Sequence, residues 1–162
     1  MKELETIPTN QRIYLDESGI NEYLYRDYGR SLRGKKVLGE ISGMRFARQS
    51  VISALFKGKF LAPFCFEGTC DTCLFNVWLK EELIPTLIPG QVLILDNASF
   101  HKSTESKKLV EDAGCKILFL PPYSSDLNPI EKCWANMKAK VRKLLLKVQT
   151  FRDAFEEAIL SM

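Results

Sequence analysis

The chain is poor in the residues that build zinc centres and disulfide frameworks. His101 is its only histidine, and its cysteines number five: Cys65, Cys70, Cys73, Cys115 and Cys133. An odd count argues for reduced thiols rather than paired ones. Cys70 and Cys73 form a lone C-x-x-C. A structural zinc needs four Cys or His ligands, and no second pair stands at suitable spacing. Two small residues flanking a helix start is therefore the simpler reading beside a metal or redox pair. Long apolar runs are also missing; a stretch such as Val92 to Leu95 is strand-sized, far short of a membrane span. The opening MKELETIPTNQ lacks the apolar core of a signal peptide. A cytoplasmic protein with no membrane partner is expected. Charge of one sign is scarce as well: 23 Lys and Arg against 20 Asp and Glu leave a net +3. Composition alone does not announce a nucleic-acid binder, so the placement of charge must carry that point.

What remains is the profile of one globular domain over residues 1–162, with 46% hydrophobic, 10% aromatic and 27% charged residues. No repeat, low-complexity stretch or linker interrupts it. Arg12 to Asp16 alternates as a strand does, with Ile13 and Leu15 on one face. Glu22 to Arg26 and Lys36 to Ile41 are further strand candidates. Arg48 to Phe56 and Phe60 to Phe66 flank the turn signal Lys57-Gly58-Lys59. Asp71 is placed to cap a helix through Ile84 that Pro85 stops, with Leu74, Val77, Trp78 and Ile84 on one side. Gln91 to Leu95 is mostly apolar on both faces, as a central strand should be. Ser103 caps a helix ending near Gly114, and Cys115 to Leu120 is a strand closed by Pro121-Pro122. The final long helix has Asn128 at its N-cap, Pro129 in first position and Glu131 in third. Ile130, Cys133, Met137, Val141, Leu144 and Val148 are its apolar stripe. A second helix after Thr150 turns Phe151, Phe155 and Ile159 inward. Strands first, then alternating helix and strand, predict an α/β fold with a mixed central sheet flanked by helices.

Three carboxylates occupy positions where the backbone should be rigid. Asp16 faces away from Ile13 and Leu15, Asp96 ends the most apolar strand, and Glu131 lies in the first turn of the last long helix. Each has an ordinary structural explanation when taken singly. Asp16 could start a turn, Asp96-Asn97 could end a strand, and Asn128 to Glu131 fits a capping box. Taken together they suit a different role. Clustered acids repel one another unless cations intervene. Mg²⁺ or Mn²⁺ would suit such oxygen donors. Two ions roughly 4 Å apart could hold both oxygens of an in-line displacement at phosphorus.

The segments VLILDNASFHKS (92–103) and LPPYSSDLNPIEKCWANMK (120–138) resemble the catalytic domain of mariner-like DDE transposases, with the bacterial insertion-sequence branch the nearer match. YLDESG resembles the family's first catalytic strand. The resemblance runs from about Arg12 to about Arg142, and the 34 residues between Asp96 and Glu131 match the superfamily's spacing. It implies an RNase H-like fold with Asp16, Asp96 and Glu131 as catalytic, metal-binding acids. It implies a divalent-metal-dependent transposase that cleaves DNA strands and joins a freed 3′-hydroxyl to target DNA. Its partners would be double-stranded transposon ends and a TA-containing target, a step that kinks easily, with a homodimer in the synaptic complex and a nucleoid-associated location. Ser125 stands where the family often has proline. Relatives carry N-terminal helix-turn-helix modules, which are expected to be absent here; a separate helix-turn-helix subunit or a frameshift-fused N-terminal part would then recognise the ends. An RNase H-like nuclease or resolvase, and an inactive DNA-binding remnant, are the alternatives.

Supporting groups follow from position. Asn97 and His101 sit after Asp96 in a D-N-x-x-x-H pattern. Asn97 is placed to orient a bound water or Asp96, and His101 to contact the scissile phosphate or backbone, beside an ordinary surface role. Asn128 sets the angle of Glu131 as a cap, and Trp134 reads as core. Lys138 and Arg142 share a helical face with Glu131 and suit a phosphate backbone, if that face is not merely solvated. Arg26, Arg30, Arg33, Lys35 and Lys36 form a basic segment readable as a DNA-contacting hairpin or an exposed turn.

Overall fold

Residues 2–20, 49–148 and 150–162 are described by the computed structural model. The predicted strands at 22–26 and 36–41 fall outside them, as do Arg26, Arg30, Arg33, Lys35 and Lys36. A short helix, α1 (Lys2–Thr6), precedes β1 (Arg12–Ile20). The alternation that predicts β1 ends at Asp16, yet the strand continues to Ile20. Its ladder with β2 (Gln49–Phe56) explains the extension, since antiparallel pairing persists from Tyr14↔Leu55 to Ile20↔Gln49. β2 turns at Lys57 and Gly58, both at positive φ, into β3 (Lys59–Glu67), so the predicted hairpin is present.

The second half alternates. Helix α2 (Thr72–Trp78) is capped by Asp71, whose side chain accepts from the Leu74 N–H at 2.8 Å. It does not run on as a regular α-helix to Ile84. A wider π turn spans Leu79–Leu83 and a tighter 3₁₀ turn spans Ile84–Thr86, at Pro85. The buried stripe is correspondingly Phe75, Trp78, Leu79 and Leu83, while Val77 is exposed. Glu81 interrupts the predicted stripe, and of its four residues Trp78 alone is fully buried.

β4 (Val92–Leu95), α3 (Thr104–Asp112) and β5 (Lys116–Phe119) follow, then α4 (Ile130–Leu144) and α5 (Phe151–Leu160). Ser103 caps α3 through the Ser106 N–H, Gly114 ends it at φ +74, and Thr150 caps α5 through the Asp153 N–H. The sheet order is β3-β2-β1-β4-β5, antiparallel on the β3 side of β1 and parallel on the β5 side. Helices cover both faces. Ile13, Leu15, Ile52, Leu93 and Leu95 pack with Phe75, Trp78, Leu79 and Val110. Val51, Leu55 and Ile20 pack with Ile130, Trp134, Met137 and Val141 of α4 and with Phe151 and Phe155 of α5. Among the described residues no helix is long and apolar enough to cross a membrane.

Candidate active site

The parallel register brings two acids together. β1 and β4 pair as Arg12↔Val92, Ile13↔Leu93 and Tyr14↔Ile94. Continued two residues further, the same register sets Asp16, at the middle of β1, beside Asp96, just past the carboxyl end of β4. Side chains alternate along a strand. Asp16 therefore shares the Tyr14 face, on which α4 packs, and Glu131 in the first turn of α4 enters from above. Asp16, Asp96 and Glu131 line one cavity of about 250 Å³, with Asn97, Asn128 and Tyr123 on its wall and rim. Carboxyl ends of strands, at the point where neighbouring connections diverge, are where open α/β sheets bind ligands. A larger hollow of about 480 Å³ near α1 has Glu3 as its only carboxylate and carries no comparable chemistry.

Each acid is held differently. Asp16 is half-buried, and its Oδ2 accepts from Trp134 Nε1 at 3.0 Å. Burial, then the charge of Glu17, push its carboxyl up to about 7, with Asp96 adding to the rise against the Trp134 bond. Asp96 is more exposed; its Oδ1 accepts from the Ala98 N–H at 3.0 Å and lies 2.8 Å from His101 Nδ1. The His101 contact, foremost, holds the Asp96 carboxyl below its ordinary value despite partial burial. Burial alone would lower the imidazole, but Asp96 and then Glu17 outweigh it and raise His101 to about 9. Nδ1 is sealed from solvent and not aligned for a hydrogen bond, so the contact with Asp96 is an ion pair of the charged ring. Glu131 is exposed to solvent.

Asn128 and His101 sit differently from the sequence reading. Asn128 does not cap α4: Pro129 occupies the N-cap, and no side chain bonds there. Asn128 instead donates Nδ2–H to the Leu15 carbonyl at 3.2 Å, which ties α4 to β1 next to Asp16. Its Oδ1 is sealed from solvent with no hydrogen-bond partner. His101 is 1% exposed, between Phe75 and Phe100. Contact with a scissile phosphate does not fit a ring so enclosed; its reach is to Asp96. Asn97 is exposed on the cavity wall. Lys138 is half-buried and Arg142 exposed, further along the same helix. Trp134 is core, 3% exposed. Two residues escaped the sequence reading. Glu17 lies 3.4 Å from His101 Nε2, and the fully exposed ring of Tyr123 stands at the rim on a residue with φ +60. The pairing of Asp16 with Glu17 on opposite faces was the signal for the first.

The donor set fits a hard divalent cation. Three carboxylates and two amides line the cavity without a thiol or an imidazole among them, which is magnesium and manganese chemistry rather than zinc chemistry. The unpartnered Asn128 Oδ1 is a further oxygen in want of a donor or cation. Among the described residues, no three His, Cys, Asp or Glu side chains group tightly enough to cage one ion together. Mg²⁺ needs no such cage, since it commonly takes one or two carboxylates plus waters and phosphate oxygens.

Burial of Asp16 has a measurable consequence. Its folded pKa is raised, so its contribution to stability is fully present below about 4 and lost as pH rises through about 7. Asp16→Asn keeps an acceptor for Trp134 and removes the charge. In metal-free protein the variant should match wild type near pH 4. It should exceed wild type at pH 8 by about 1–3 kcal/mol, discounted for partial exposure. Thermal melts at the two pH values check this; an equal or less stable variant at pH 8 contradicts it.

The C-x-x-C pair flanks the start of α2, with Cys70 half-buried and Cys73 exposed, and none of the five cysteines is in a disulfide among the described residues. Burial, then Glu17 and Asp71, push the Cys70 thiol up to about 12. A thiol so reluctant to ionise is a poor nucleophile or metal ligand.

The sequence profile of a DDE superfamily endonuclease matches residues 11–153. Comparison with curated proteins finds no match. Among solved structures, the Mos1 transposase paired-end complex with left transposon end is similar over 99% of this chain and 57% of that one, at 14% identity and a TM-score of 0.64. The Mos1 strand transfer complex gives 99%, 57%, 15% and 0.66. The catalytic core domain of BIV integrase gives 94%, 82%, 12% and 0.58. This chain spans less than two thirds of the Mos1 transposase chains. At such identities the likeness is one of fold, and the fold is RNase H-like.

Proposed function

The chain belongs to the DDE superfamily endonuclease family, and we propose that it is a transposase catalytic domain that cuts DNA strands and transfers a 3′-hydroxyl end, using Asp16, Asp96 and Glu131. The observation that carries the reading is their convergence on one cavity from two adjacent strands and a helix start. Mg²⁺ or Mn²⁺, a pair in this reading, would when bound neutralise charge on the reacting phosphate and on the attacking and leaving oxygens.

The chain's own residues do the rest. Asp16, held by Trp134, and Asp96, held by the Ala98 N–H and His101, present carboxylate oxygens from a rigid sheet. Glu131 offers a third from the helix above. Asn128, fixed to the Leu15 carbonyl, keeps α4 at its angle over β1. Asn97 on the wall would orient a water or Asp96. Lys138 and Arg142, beyond Glu131 on α4, would track the phosphate backbone with steep salt dependence. Arg26, Arg30, Arg33, Lys35 and Lys36 would add to that track. The substrate in this reading is duplex DNA at transposon ends and at a TA-containing target, engaged by two copies, with end recognition supplied by a helix-turn-helix part. In this reading the protein works at the cytoplasmic nucleoid.

Purified protein should cut DNA only when Mg²⁺ or Mn²⁺ is present. A chelator should stop cutting, and added metal should restore it. Cutting that survives full chelation overturns the reading.

A further inference from the structure

Asp16 and Glu17 are neighbours on β1, so the sheet sends them to opposite faces. Asp16 goes to the catalytic cavity. Glu17 goes the other way, toward the turn Ser99–Lys102 that follows β4, where its Oε2 lies 3.4 Å from His101 Nε2. That oxygen is sealed from solvent and makes no aligned hydrogen bond, so the imidazole is its ion-pair partner. The other nitrogen of the same ring, Nδ1, lies 2.8 Å from Asp96 Oδ1. One buried imidazole thus spans two carboxylates, one of which lines the cavity while the other does not.

We propose that Glu17 is a positioning residue for Asp96, acting through His101; this rests on the reading of Asp96 as a metal-binding acid. The ring cannot be set by packing alone. Phe75 at 4.7 Å and Phe100 at 4.2 Å hold its plane, but apolar walls do not choose where its nitrogens point. An acceptor at each end does. Glu17 fixes Nε2, which aims Nδ1 at Asp96. Asp96 Oδ1 then accepts from the Ala98 N–H and is ion-paired with the charged ring at Nδ1, and Oδ2 is the oxygen left for a cation. Partners of this kind behind a metal-binding carboxylate typically change affinity by about 10–100-fold when removed.

The test measures Mn²⁺ affinity by calorimetry or electron paramagnetic resonance, alongside kcat and KM for DNA cutting. Glu17→Ala should weaken Mn²⁺ binding about 10-fold and lower kcat, with KM for DNA unchanged. Glu17→Gln keeps an oxygen for Nε2–H and should recover most of the loss. In a His101→Asn background, Glu17→Ala should cause no further loss, which a general effect on stability would not reproduce. If Glu17→Ala does not fold, Glu17→Asp withdraws the carboxylate by one methylene and should also weaken binding. Wild-type Mn²⁺ affinity in the folded Glu17 variants overturns the proposal. Asp96→Asn separates the two ideas. If it weakens Mn²⁺ binding while Glu17→Ala does not, only the positioning role fails. If Asp96→Asn itself leaves affinity unchanged, the metal assignment fails.

Discussion

Asp96→Asn should lower the rate of DNA strand cutting about 10³-fold or more and leave the fold intact. The size follows from what the carboxylate contributes. A bound cation supplies several kcal/mol of transition-state stabilisation at phosphorus, and each 1.36 kcal/mol is a factor of ten. A neutral amide cannot hold that cation as a carboxylate does. The fold should survive because the side chain is more than half exposed, at 55%, and because an amide oxygen can still accept from the Ala98 N–H. Melting within about 3 °C of wild type is expected, as for a surface change worth less than 1 kcal/mol. The same preparation should lose Mn²⁺ affinity. Cutting by Asp96→Asn at the wild-type rate would remove Asp96 from the site, or trace the cutting to a contaminant.

The parts of this fold that were legible in the sequence are those fixed locally. Asp71, Ser103 and Thr150 announce helix starts because a cap is a bond between near neighbours. Lys57-Gly58 announces a hairpin because the turn demands positive φ. Val92–Leu95 announces a central strand because both of its faces are covered. The three acids were legible through motif and spacing, and their meeting depends on a parallel register that no local pattern encodes. Readings failed where a distant partner decided the outcome. Asn128 looks like a cap in its own segment, but the buried Leu15 carbonyl, far off in sequence, claims its side chain. His101 looks like a surface residue near a helix start, but Phe75 of α2 folds over it. Beyond Trp78 a π turn changes the angular step between side chains, so the buried residues there are Leu79 and Leu83. Glu17 was passed over because its partner lies on the far side of the sheet from the motif that surrounds it.

Trp134 is where core and chemistry meet, and two substitutions should separate its roles. The indole is buried, stacks on Phe60 of β3 at 4.9 Å, and donates Nε1–H to Asp16 at 3.0 Å. Trp134→Ala removes the stacking and opens a cavity between α4 and the sheet, at a cost of about 3–5 kcal/mol. For a domain of modest stability that is enough to threaten folding. Trp134→Phe keeps most of the ring and should cost less, about 1–2 kcal/mol, since a smaller aromatic still fills the site. What it loses is the donor to Asp16. That bond favours the charged carboxylate, so its loss pushes the Asp16 pKa further up, from about 7. A proton then competes better with a cation for the same oxygens, and Mn²⁺ binding should move to higher pH in Trp134→Phe. Cutting at neutral pH should fall about 10-fold and recover in part as pH rises. The check is a folded Trp134→Phe protein, verified by its melt, titrated with Mn²⁺ across pH. An unchanged pH dependence would mean that the indole only fills space. A shift to higher pH without loss of the folded state would mean that a core tryptophan sets the charge of a catalytic acid.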